Sequence, residues 1–146
     1  MFANLLNKLA QPEPDPLDDG DARLALTALL VRVAQSDGAY DAEERGRILS
    51  IAAKRYGLTS QAAEALVKDA ETLEAEAPDT VRFTRAIKDA VPYEERTGVI
   101  EALWSVVLAD GVRDDEENAL LRLVANLLGV NDRDSALARQ AAETGQ

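Results

Sequence analysis

From Asp21 onward, apolar residues return every three to four positions with polar residues gathered on the opposite face, which is the period of an amphipathic helix. No run shows the alternation or the β-branched enrichment of a strand. The periodic segments predict helices near 21–36, 42–56, 60–76, 79–89, 93–109, 115–128 and 132–142, with Gly57 and Gly129 as C-terminal stops and Pro78 and Pro92 as breaks. Within 93–109 the polar positions reduce to one stripe, Glu94, Thr97, Glu101 and Ser105, and the rest is Val, Ile, Leu and Trp104. Within 115–128 they fall largely on Asp115, Asn118, Arg122 and Asn126. These two helices are expected at the centre of an all-α bundle, with Trp104 in its core.

An eighth helix precedes the seven. Phe2, Leu5, Leu6 and Leu9 recur at i, i+3, i+4 and i+7, and the following QPEPDPLDDGD carries Pro12, Pro14 and Pro16, which forbid helix and favour an extended spacer. The chain therefore divides into a short amphipathic helix with a Pro-rich spacer, residues 1–20, and a helical domain, residues 21–146. The apolar stripe has two available uses. It folds back onto the body, or it docks on a partner through Phe2, Leu5, Leu6 and Leu9; a single Lys on its polar face is a weak membrane signal.

The size and balance of the chain suit one soluble domain. With 146 residues, 47% hydrophobic and 29% charged, it can bury a real core, and no apolar run reaches the roughly 20 residues of a membrane span. The first eleven residues lack the basic flank and long apolar centre of a secretory signal, so the expected location is the cytoplasm. The absence of cysteine and histidine narrows the chemistry sharply. It excludes thiolate nucleophiles, zinc fingers, iron–sulfur clusters, disulfides, Ser-His-Asp triads, HExxH helices and the iron facial triad. A net charge of −11 repels phosphate backbones and anionic lipid, so nucleic acid is not an expected partner, whereas cations and basic protein surfaces are.

One phrase occurs twice. SDGAYDAEE at 36–44 returns as ADGVRDDEE at 109–117, both reading D-G-x-x-D-x-E-E at an offset of 73 residues. The register continues outward: Leu30 falls on Leu103, Val33 on Val106, Ile48 on Leu121, Ile51 on Val124 and Ala52 on Ala125. Small residues also match, Gly46 with Ala119 and Ala25 with Gly98, which suggests close helix crossings in both halves. Two related helical hairpins about a pseudo-twofold would account for the pattern.

The phrase itself admits two readings. As a helix junction, Gly38 and Gly111 end one helix, Asp41 and Asp114 cap the next, and Glu44 and Glu117 stand three residues later as in a capping box. That leaves Asp37 and Asp110 in the last turn of a helix, where the macrodipole disfavours a carboxylate by about 0.3–1 kcal/mol. Either they cap across the turn, or a cation is held by Asp37, Asp41 and Glu44 and again by Asp110, Asp114 and Glu117. With oxygen ligands alone the ion would be hard, Ca²⁺ or Mg²⁺, although the spacing is not that of an EF-hand. The nearby basic residues Arg45, Arg47, Lys54 and Arg55 are expected to offset the acidic surface.

An apolar helix running into this phrase and then a second amphipathic helix, as in EALWSVVLADGVRDDEENALLRLVANLLGV and LLVRVAQSDGAYDAEERGRIL, resembles the TerB-like family, named for tellurite-resistance proteins. The likeness covers about residues 22 to 130, and the first copy departs from the second at Gln35 and Ser36, where the second has Leu108 and Ala109. The resemblance implies a helical bundle with internal pseudosymmetry, an acidic metal-binding surface that lands on the six acidic residues above, and a stress-response or interaction role without a defined reaction. The resulting expectation is a non-enzymatic module that binds a divalent cation or a basic protein partner through the two acidic turns. The alternative is a scaffold whose turns are only caps and whose N-terminal helix recruits. A hydrolase using metal-activated water would need a phosphate loop or a general-base constellation, and neither accompanies the carboxylates.

Overall fold

The computed structural model describes residues 5–7, 19–35, 40–77, 79–109 and 115–144; of residues 19, 106–109, 115–120 and 144 it describes the backbone only. Phe2, Leu9, Asp37, Asp110 and Asp114 lie outside these residues, and Glu117 is described without its side chain. Seven helices follow one another among them: α1 Asp19–Gln35, α2 Ala42–Tyr56, α3 Ser60–Glu76, α4 Thr80–Ala90, α5 Tyr93–Ala109, α6 Asp115–Leu127 and α7 Asp132–Thr144. Residues 5–7 are also helical, and no strand occurs among the described residues.

The helix ends fall where the local chemistry puts them. Gly57 and Gly129 adopt left-handed backbone angles, φ 64° and 72°, that a side chain would disfavour. Behind them Leu58 N–H donates to the Ala53 carbonyl and Val130 N–H to the Ala125 carbonyl, each at 2.9 Å, closing the last turns of α2 and α6. Thr59, Asp79 and Asn131 begin α3, α4 and α7 by accepting the N–H of Ala62, Arg82 and Asp134.

The centre differs from the expectation. The helix most completely enclosed is α1, where Ala25, Leu26, Ala28, Leu29 and Val31 are fully buried. It packs on α3 along its length and also meets α2, α4 and α5. Helix α5 is the second central element, with Val99, Ile100, Leu103 and Trp104 inside. Of α6 the side chains from Leu121 on are described: Leu121, Val124 and Ala125 are buried, as is Leu128 just past its end, and Leu123 is about half exposed. The polar residues of α1 are accommodated rather than exposed. Buried Thr27 donates to the Arg23 carbonyl, and Arg32 reaches from α1 to the Glu74 carboxylate at 3.1 Å and to the Glu74 and Ala77 carbonyls at the end of α3.

The sequence copies fall on α1–α2 and α5–α6. Helices α1 and α3 form the most extensive pair around the first copy, α5 and α7 that around the second, and α1 meets α5 between them. Leu5 is buried in the common core and Leu6 packs against it. At these two positions the N-terminal stripe is turned onto the body, the first of its two possible uses.

Candidate functional site

The first acidic turn enters α2. Asp41 is extended, φ −98° and ψ −176°, and its carboxylate oxygen Oδ1 accepts the Glu44 N–H at 2.9 Å, so it caps the helix. Glu44 is 95% buried, which is unusual for a carboxylate, and sits at the foot of that turn. Asp41 retains a second oxygen. The contact between the two residues is made by the Glu44 N–H and not by its carboxylate, whereas a Ca²⁺ ion takes six to eight oxygens. Among the described residues no group of three or more carboxylates could hold a metal ion.

On either side of this pair the chain is anchored to the same residue of α3. Tyr40 donates its hydroxyl to Glu71 Oε2 at 2.7 Å, and Arg45 donates Nε and Nη2 to Glu71 and both terminal nitrogens to Glu64, the shortest at 2.7 Å. Burial and the Glu71 carboxylate push the Tyr40 phenol well above its ordinary range, and Arg45 draws the Glu64 carboxyl below its own. The sequence reading missed this clamp. Tyr40 and Glu71 are 31 residues apart, and the only available signal was a tyrosine inside an otherwise acidic phrase. At the matched positions of the second copy stand Arg113 and Asn118, so the residue types that make this clamp are not repeated there.

The basic residues of α2 divide into two sets. Arg45 is committed to α3, and Arg47 pairs with Glu43 at 3.0 Å. Lys54 and Arg55 form no ion pair among the described residues. Arg55 lies across Gly98 of α5, so that a Cβ there would overlap its guanidinium, and one of its terminal nitrogens makes a long bond of 3.4 Å to the Glu95 carbonyl. The close approach at Gly98 therefore accommodates an arginine rather than a helix crossing. At Gly46 an added Cβ would meet nothing within 4 Å, so the expected close crossing is absent there too.

Gly46, Lys54 and Arg55 belong to a cleft of about 670 Å³ between α2, α5 and α7, whose α5 edge is the predicted polar stripe at Glu101 and Ser105. A second cavity of about 730 Å³ adjoins it, sharing Arg55, Gly98, Glu101 and Ala141. Its far side is fastened by Tyr93, which donates its hydroxyl to Asp134 and so joins α5 to α7; that bond, with burial, raises the Tyr93 phenol. Trp104 is core, as expected, with Arg139 stacked 5.1 Å above its ring.

A further correspondence, not visible in the acidic phrase, joins the two copies. Arg23 and Arg96 stand 73 residues apart. Arg23 stacks on Tyr56 at the end of α2, while Arg96 donates to the Leu128 carbonyl at the end of α6. Arg96 thereby places a cation at the negative end of α6.

Comparison with known proteins gives one positive result. The family model described as Tellurite resistance protein TerB matches residues 23–140. No curated protein and no solved structure matches.

Proposed function

The chain belongs to the Tellurite resistance protein TerB family, and from that premise we propose that it is a non-catalytic module that binds a divalent cation, Ca²⁺ or Mg²⁺, or a basic group of a protein partner, through its acidic turns. Its setting would be a stress-response assembly in the cytoplasm. The observation that carries this reading is the burial of Glu44 at the turn that Asp41 caps, inside the phrase that the chain writes twice. Charge agrees with it, since a chain at −11 favours cationic ligands. Among the described residues no helix is long and apolar enough to cross a membrane.

Capping alone is the second reading, and the Asp41–Glu44 bond favours it. Asparagine separates the two, because it caps a helix about as well as aspartate but lacks the charge a hard ion requires. Calorimetric titration of chelator-stripped protein with Ca²⁺ and Mg²⁺ should show binding that Asp41→Asn weakens at the first turn. If wild type gives no binding heat for either ion and a basic peptide is also inert, the turns are caps and the scaffold reading stands.

A further inference from the structure

The cleft between α2, α5 and α7 is filled by none of the described residues. Its floor is built from Gly46, Ala102 and Ala141, none larger than a methyl group, and it opens into the neighbouring cavity past Arg55. Together the two run beside α5 from Ser105 to Tyr93, which at 1.5 Å per residue is about 18 Å, or roughly three turns of a docked helix.

The polarity of this trough is uneven. At the α2 end, Lys54 is exposed and Arg55 holds its Nε buried with no hydrogen-bond partner among the described residues. Glu43, the acidic residue on that wall, is already paired with Arg47. Glu101 lines both cavities, Glu94 and Asp134 line only the one towards the α7 end, and Leu137 stands half exposed beside them. Neither Lys54 nor Arg55 forms an ion pair among the described residues, and a terminal nitrogen of Arg55 makes a long bond of 3.4 Å to the Glu95 carbonyl, so an incoming carboxylate would meet two cations there.

We infer that this trough receives an amphipathic helix of a partner protein, with a carboxylate seated against Lys54 and Arg55 and an apolar residue against Leu137. Charge complementarity selects the occupant. A basic helix would meet both cations at one end, and a second copy of this chain would bring its own net charge of −11 to a chain of the same sign. The mode is a helix in a groove, with anchors on one helical face. It is independent of whether the acidic turns bind an ion.

The test uses fluorescein-labelled, alanine-rich helical peptides of about 15 residues. One carries leucines near its N-terminus and a glutamate pair near its C-terminus, one has the reverse order, and control copies have lysine for glutamate. By fluorescence anisotropy, one glutamate order should bind wild type at least about tenfold more tightly than its lysine copy, a difference of about 1.4 kcal/mol. The Lys54→Glu/Arg55→Glu variant should lose that preference. Gly46→Leu fills the floor without changing charge and points into open space, so it should weaken binding while the melting temperature holds or rises. The inference is overturned if neither glutamate order binds, if glutamate and lysine copies bind alike, or if both variants bind as wild type does.

Discussion

Replacing Asp41 distinguishes a cap from a ligand through stability alone. Its Oδ1 accepts the Glu44 N–H at 2.9 Å from an extended backbone, and the residue is exposed. Alanine would leave that donor to water and lower stability by about 1 kcal/mol, within a range of about 0.5–2. Asparagine keeps the bond and loses only the charge near the positive end of the helix dipole, worth about 0.3–1 kcal/mol and at the lower end for an exposed side chain. For a chain of this size 1 kcal/mol moves the melting temperature by about 2–4 °C. Far-UV circular dichroism melts in chelator should therefore rank wild type, Asp41→Asn and Asp41→Ala in falling order, with alanine about 2–4 °C below wild type. The reasoning is refuted if alanine melts with wild type, or if asparagine is as damaging as alanine.

Gly46 within α2 and Gly57 just past its end should respond in opposite senses. Gly46→Ala meets nothing and gains about 1 kcal/mol of helix propensity, whereas Gly57→Ala, at φ 64°, loses about 1–2 kcal/mol; urea midpoints would read both. The phenol of Tyr40 is raised in the folded state, so the protein binds more protons folded than unfolded and the contribution is lost as pH rises above about 10. Stability should accordingly fall above that pH, and Tyr40→Phe should flatten the decline in a series of denaturant melts. Leu5→Ala should lower stability by about 2 kcal/mol or more because Leu5 is in the core, and a neutral result would return the N-terminal stripe to the role of a recruiting surface.

The positions of the helices were legible because their ends are written locally: αL glycines at 57 and 129, caps at 41, 59 and 131, and prolines between. Which helix is central was not. The segment 93–109 displays a clean polar stripe, but α1 hides its polar residues by bonds to distant or neighbouring carbonyls, as Arg32 and Thr27 do, and such bonds leave no periodic trace. The acidic turn was legible as a repeated phrase, and Asp41 as a cap. The Tyr40–Glu71–Arg45 clamp was not, since it joins residues 26 and 31 apart whose proximity is created by α2 packing on α3. The small residues were read as helix contacts because size alone cannot say whether the space beside a glycine is filled by an arginine, as at Gly98, or left open, as at Gly46.

The most direct test of the central claim is thermal unfolding of chelator-stripped protein at fixed ionic strength, with Ca²⁺ and Mg²⁺ titrated in, beside the Asp37→Asn/Asp110→Asn variant. An ion at 100 times its dissociation constant stabilises the folded state by about 2.7 kcal/mol, so the wild type should shift upward by several degrees and the variant should not. Wild type and variant both unmoved across the titration would contradict cation binding and leave the repeated phrase as a pair of helix caps.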